Sequence, residues 1–184
     1  MGHVVFAMHT SLDGFVSGAS GGPEDFPMPG EELHQHFNDL ERNTALSIYG
    51  RAMYGDMRYW DTDDPDWEPV HHDYAEAWRA TPKVVVSTTL TEVGPNATLV
   101  SQDVDAELRH VVDSTDGEIE VAGPTLASTL ARLGLIDEYR LYQRPVAFGS
   151  GKAFFATDAR VDLTLLGVET LAEDTVLIRY APVR

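Results

Sequence analysis

The chain contains no cysteine, which excludes disulfides, thiolate-bound metals and thiol catalysis. It has two lysines, Lys83 and Lys152, and 13 lysines plus arginines stand against 30 acids, for a net charge of −17. So few cations argue against a nucleic-acid partner, whose binding rests on neutralised phosphates, and against an anionic membrane surface. The surplus acid serves solubility. No run of 18 apolar residues occurs, so no membrane-spanning helix is expected. Met1 leads into an apolar strand without a basic segment or an apolar leader, which points to the cytoplasm. No GxGxxG follows the first strand and no GxSxG elbow is present, so neither a standard dinucleotide fingerprint nor an α/β-hydrolase serine is indicated. Neither an internal repeat nor a domain linker is visible.

What is present is a regular alternation. The 184 residues, 43% hydrophobic, suit one domain spanning 1–184 with a sizeable core. Strands are predicted over 3–10, 45–49, 83–89, 119–122 and 138–142, with a shorter one at 98–101. Helices are predicted over 31–42, from Arg51 through Met57, and over 73–80, 104–112 and the stretch after Pro124. A Gly/Ser/Pro-rich loop fills 17–30, and an acidic aromatic loop fills 60–69. Phe154 and Phe155 read as strand, and 163–170 with 175–181 reads as a closing antiparallel hairpin. Alternating β and α units finishing in strands predict a three-layer α/β/α fold. Its sheet is mixed and mostly parallel, with an antiparallel C-terminal edge.

Three predicted strand ends share one chemistry. Gly123-Pro124-Thr125 stands between a strand and a helix whose leucines 126, 130 and 133 recur at helical spacing. Backbone N–H groups at a helix N-terminus favour an anion. Alone, this turn reads equally well as a crossover without a ligand. Gly50-Arg51 and Ser87-Thr88 repeat the theme, supplying close backbone approach, a guanidinium and hydroxyls. Ligands of open α/β sheets bind outside the carboxyl ends of strands, so the three together point to a dinucleotide or another polyphosphate. Two other motifs fail. Gly149-Ser150-Gly151-Lys152 has the wrong flanks, Val146 and Ala153, for a P-loop. His71-His72-Asp73, near Asp63, Asp64 and Asp66, lacks metal-ligand spacing, and His34 and His36 cannot share a helix face, so no metal is expected.

In this order and spacing the motifs resemble the dihydrofolate-reductase-fold family, in particular its bacterial members related to the pyrimidine reductase domain of riboflavin biosynthesis. The likeness is carried by Ser11-Leu12-Asp13-Gly14; by Gly50-Arg51-Ala52-Met53-Tyr54 with Trp60 beyond; by Lys83 to Ser87; by Gly123-Pro124-Thr125-Leu126-Ala127; by Gly134 to Glu138; and by Pro145 through Gly149-Ser150-Gly151 to Phe155. It implies an NADPH-dependent reductase, commonly a homodimer, with a small-molecule substrate. By that likeness Gly50, Arg51, Ala52 and Met53 face the cofactor phosphates. Ser87 and Thr88 lie at the adenosine 2′-phosphate end, and Gly123, Pro124, Thr125 and Leu126 cradle the pyrophosphate. Asp13 is the candidate catalytic polar group, with a turn residue beside Gly14 as its other reading. Trp60, Met53 and Phe15 are candidate walls of the nicotinamide pocket. The chain departs from the family where substrate is read: an acid of the riboflavin enzymes is replaced by Val121, another by Met57, and the pterin-binding carboxylate has no clean counterpart at Glu32 or His34. The expected reaction is hydride transfer to a C=N or C=O group of a pterin- or pyrimidine-like heterocycle. The alternative is a nucleotide-binding module or sensor on the same fold.

Overall fold

The computed structural model of the chain describes residues 1–156 and 160–183. Its centre is an eight-stranded sheet. The strands are β1 (His3–Thr10), β3 (Thr44–Gly50), β4 (Lys83–Val86), β5 (Ala97–Val100), β6 (Glu118–Ala122), β7 (Glu138–Gln143), β9 (Leu163–Thr170) and β10 (Val176–Pro182). Their order is β5-β4-β3-β6-β1-β7-β10-β9. All pairs are parallel as far as β7, and β10 then runs antiparallel to both β7 and β9. A separate two-stranded sheet joins β2 (Phe15–Ser17) to β8 (Lys152–Ala153). There a Cβ on Gly151 would fall 1.9 Å from the Ser17 carbonyl oxygen, so the close approach needs glycine.

The central strands are apolar at successive positions because both faces are covered. On one face α4 (Val104–Ser114) and α5 (Pro124–Arg132) pack Leu108, Val112, Leu126 and Leu130 against Val4, Phe6, Ile48, Ile119 and Val121. On the other lie α1 (Glu31–Asn43), α2 (Arg51–Met57) and α3 (Pro69–Ala80). Asn38 of α1 clasps α3 by donating to Val70 O and Asp73 Oδ2, both at 2.9 Å.

The boundaries differ from expectation in three informative places. The strand expected to reach Thr89 ends at Val86, because Ser87 Oγ accepts the N–H groups of Thr89 (3.2 Å) and Leu90 (3.1 Å) and turns the chain away. The third helix begins at Pro69 rather than Asp73, since Glu68 and His71 form a reciprocal capping box. Phe154 and Phe155 follow β8 instead of forming a strand, and Phe154 stacks on Phe6 with ring centres 4.3 Å apart.

A charged ladder ties the amino ends of the strands. Arg140 donates to both oxygens of Glu118 at 2.7 Å and to Glu138 Oε1 at 2.8 Å, while Arg179 Nε donates to the same Glu138 oxygen at 2.6 Å. Burial opposes ionisation of Glu138, but the bonds from Arg179 and Arg140 outweigh it and hold the carboxyl at about 2. Glu120, inside the sheet, goes the other way. Burial first, then the charges of Glu41 and Glu118, pushes it up to about 8.

The two carboxyls pull stability in opposite directions with pH. Glu138, depressed in the fold, contributes stability that is present above pH 4.5 and is lost as pH falls toward 2. Glu120 keeps its proton in the folded chain after the unfolded chain has released it, so its contribution falls as pH rises from 4.5 to 8. Thermal melts of Glu120→Gln between pH 5 and 8 should decline less than those of the parent chain, with Glu41, which burial also raises, supplying the remainder. An unchanged slope would contradict the assignment.

Candidate active site

The strand order sets the three turns side by side. Gly50 is the partner of Val86, and Tyr49 is the partner of Ala122, so the ends of β4, β3 and β6 are neighbours at one edge. Ser87 follows β4, Arg51 opens α2 after β3, and Gly123 follows β6 into α5. Gly123 has φ +103°, a conformation that side chains rarely adopt, and is the N-cap of α5. A Cβ on Gly123 would approach Met53 Cβ at 3.7 Å, and one on Gly50 would approach Leu126 Cβ at 3.9 Å. The two turns therefore stand in van der Waals range of each other at this edge.

The predicted residues take distinct places there. Arg51 and Ala52 are exposed, and Met53 is half-buried. Arg51 forms no ion pair among the described residues, in a chain rich in carboxylates. Thr88 and Thr125 are exposed, whereas Pro124 and Leu126 are buried. Because Pro124 has no N–H and the first bond of the helix runs from Ala127 N to Gly123 O (3.0 Å), the Thr125 and Leu126 N–H groups lie in the first turn, beyond intrahelical acceptors. Ser87 is buried and its oxygen is engaged in shaping its own turn.

Asp13 is brought to the same edge, but its carboxylate is occupied. Oδ1 accepts from Phe148 N at 3.1 Å and Oδ2 from Gly149 N at 2.6 Å, pinning the β1–β2 turn to the segment before β8. Bonds from Ser11 and then from Phe148 lower its carboxyl to about 2. It is an ionised acceptor at neutral pH, which suits the turn reading and not proton donation. Of the expected nicotinamide walls, Trp60 clusters with Trp67 (5.1 Å), Tyr74 (4.9 Å) and His34 (5.9 Å) between α1 and α3, while Phe15 lies in the small sheet. His71 Nδ1 accepts from Glu68 N in the capping box, and His72 faces Asp63 at 3.7 Å. No group of three or more metal-ligating side chains forms among the described residues.

Sequence reading passed over a second set at this edge. His9 and Tyr142 are direct partners across β1 and β7, and Arg144 follows β7 immediately. The available signal was an arginine and a histidine at strand ends in an acidic chain, but strand periodicity alone does not reveal that both are enclosed. A groove of about 900 Å³ lies elsewhere, between α5 and the far end of β10.

A family model, the RibD C-terminal domain, matches residues 2–177. The chain belongs to this family. It is 26% identical over 184 residues to the YyaP protein of Bacillus subtilis (strain 168), itself uncharacterized, covering 96% of this chain and 93% of that one. Among solved structures, a Shewanella sp. PV-4 protein assigned to riboflavin biosynthesis aligns over the whole of both chains at 22% identity and a TM-score of 0.73. Dihydrofolate reductase from Enterococcus faecalis, complexed with NADP(H), aligns over 99% of this chain and 97% of its own at 12% identity and a TM-score of 0.60. The fold is therefore dihydrofolate-reductase-like, and the family supports a reductase-type function.

The positive φ at Gly123 gives a direct test of the turn. Gly123→Ala should cost about 1–3 kcal/mol of stability through backbone strain. Urea unfolding measures it, and a change below about 0.5 kcal/mol would mean that the turn relaxes freely.

Proposed function

We propose that the chain is an NADPH-dependent reductase acting on a small heterocyclic substrate. One observation carries the reading: three phosphate-compatible turns meet at one sheet edge, with the unpaired Arg51 among them. The edge fits the group: Gly123, at φ +103°, caps α5, whose first-turn N–H groups have no intrahelical acceptor. Gly50, Ala52, Met53, Gly123, Pro124, Thr125 and Leu126 would hold the pyrophosphate, and Arg51 with Ser87 and Thr88 would meet the adenosine phosphate. The bound cofactor supplies hydride. The chain's own residues orient it: the α5 N-terminus offers the Thr125 and Leu126 N–H groups, and Asp13 fixes the β1–β2 turn beside the site. With Asp13 ionised, the proton that completes reduction is delivered by ordered solvent.

The engagement of Asp13 favours one second reading, a nucleotide-binding module or sensor on the same fold. Turnover separates the two, since a sensor saturates with NADPH without oxidising it in the presence of pterins, pyrimidines or flavins.

We also propose a homodimer formed along β9. This strand is one of the two edges of the sheet and exposes Leu165, Leu166 and Val168 at 53%, 50% and 60%.

NADPH fluorescence should titrate to saturation below about 1 mM, an affinity stronger than about −4 kcal/mol. Arg51→Ala should weaken NADPH about tenfold and NADH less, the cost of roughly one charge-assisted contact. Absence of saturable binding would sink the cofactor assignment. For the dimer, sedimentation should give twice the 20.3 kDa chain mass, and Val168→Lys should return it to one. A parent chain that sediments as a monomer at tens of micromolar rejects the interface.

A further inference from the structure

Among the described residues, buried polar atoms without partners gather on the α1 side of the same edge. Arg144 is 2% exposed. Its backbone N–H donates to Thr10 O at 2.7 Å and its Nη2 to Glu173 Oε2 at 3.0 Å. Its Nε and Nη1 are buried with no acceptor. Thr175 is fully buried and precedes Val176, the partner of Gln143, so the register sets it opposite Arg144. Thr175 Oγ1, Tyr142 OH and His9 Nδ1 are likewise buried and unpartnered.

A buried guanidinium is costly unless its donors are bonded. Here the carboxylate that meets it, Glu173, takes one nitrogen and spends its other oxygen on Gly30 N. Two fork directions still call for an acceptor. The neighbouring histidine does not compete: burial, then the charge of Arg144, lowers His9 to about 3, so it is neutral at physiological pH. Around His9 stand flat apolar walls, Phe37 at 4.9 Å, Phe26 at 5.8 Å and Tyr142 at 6.0 Å between ring centres. An anionic oxygen is what the unbonded guanidinium nitrogens call for, and a planar ring is what would stack among these aromatic side chains.

We propose that Arg144, with Thr175 and Tyr142, is the substrate-recognition site for an anionic oxygen, so that the substrate is a planar heterocyclic acid. This rests on the reductase reading given above and names its substrate class. A pterin's amidine face brings donors and wants a carboxylate, and Arg144 supplies the opposite polarity. Phe26, on the segment between β2 and α1, lies against His9, so the ring enters by displacing Phe26.

Calorimetry on the full chain with two probes tests this: orotate, a pyrimidine carrying a carboxylate, and uracil, the same ring without one. Orotate should bind at least about tenfold tighter, the worth of a charge-assisted bidentate contact. Arg144→Met should erase that preference, and Arg144→Lys should keep part of it. Thr175→Val and Tyr142→Phe, which preserve shape, should each weaken orotate by roughly threefold or more with an unchanged melting temperature, which covers the case of an Arg144→Met chain that fails to fold. Equal binding of the two probes, no binding of either, or a preference that survives Arg144→Met overturns the proposal. NADPH titration of the same samples keeps the two readings apart. Loss of cofactor binding with the orotate preference intact removes the reductase reading alone, and the reverse removes this one alone.

Discussion

The insertion of β6 between β3 and β1 is the constraint on which everything else depends. Its register, Val121 against Phe6 on one side and Ala122 against Tyr49 on the other, fixes where three separate strands end. The turns after β3 and β6 come into van der Waals range because those two strands end side by side. The insertion also buries Ile119 and Val121 completely, so a slip of one residue would carry both onto the opposite face and set Glu120 in the α4–α5 core. The apolar packing that stabilises the fold and the placement of these turns thus depend on the same register.

Charge is managed by position in this strongly acidic chain. At the amino ends of the strands, Arg140 and Arg179 gather Glu118 and Glu138 into one ladder. At the carboxyl edge the arginines stand differently. Arg51 is exposed and without an ion pair among the described residues, and Arg144 is enclosed with two nitrogens unbonded. The Arg140 guanidinium is saturated with carboxylates, while Arg144 meets one carboxylate and keeps two buried nitrogens without an acceptor among the described residues.

The hairpin that closes the sheet reaches back to this edge. Glu173 and Asp174 at its tip both have positive φ, an uncommon state for such residues. Glu173 is held there by Gly30 at the start of α1 and by Arg144. The tip, the first turn of α1 and the end of β7 are coupled through one carboxylate, so the antiparallel addition to the sheet is more than a cap on its edge.

Much was determined by the sequence itself. Periodicity located nearly every strand and helix, since buried parallel strands write continuous apolar runs and helices of this length write leucine stripes. Two of the turns were legible as strand-to-helix junctions from glycine and proline, Gly50 before α2 and Gly123-Pro124 before α5. Strand ends at Val86 and helix starts at Pro69 were misjudged, because a serine hydroxyl and a glutamate–histidine cap override local propensity. A turn role for Asp13 was one of the two sequence readings, but its partners, Phe148 and Gly149, lie more than 130 residues away and were beyond sequence. Only the tertiary structure decided which strand stands beside which, and with it that His9, Tyr142, Arg144 and Thr175 share one enclosed corner. Burial and unmet hydrogen bonds are properties of the assembled layers, and no single segment of the chain encodes them.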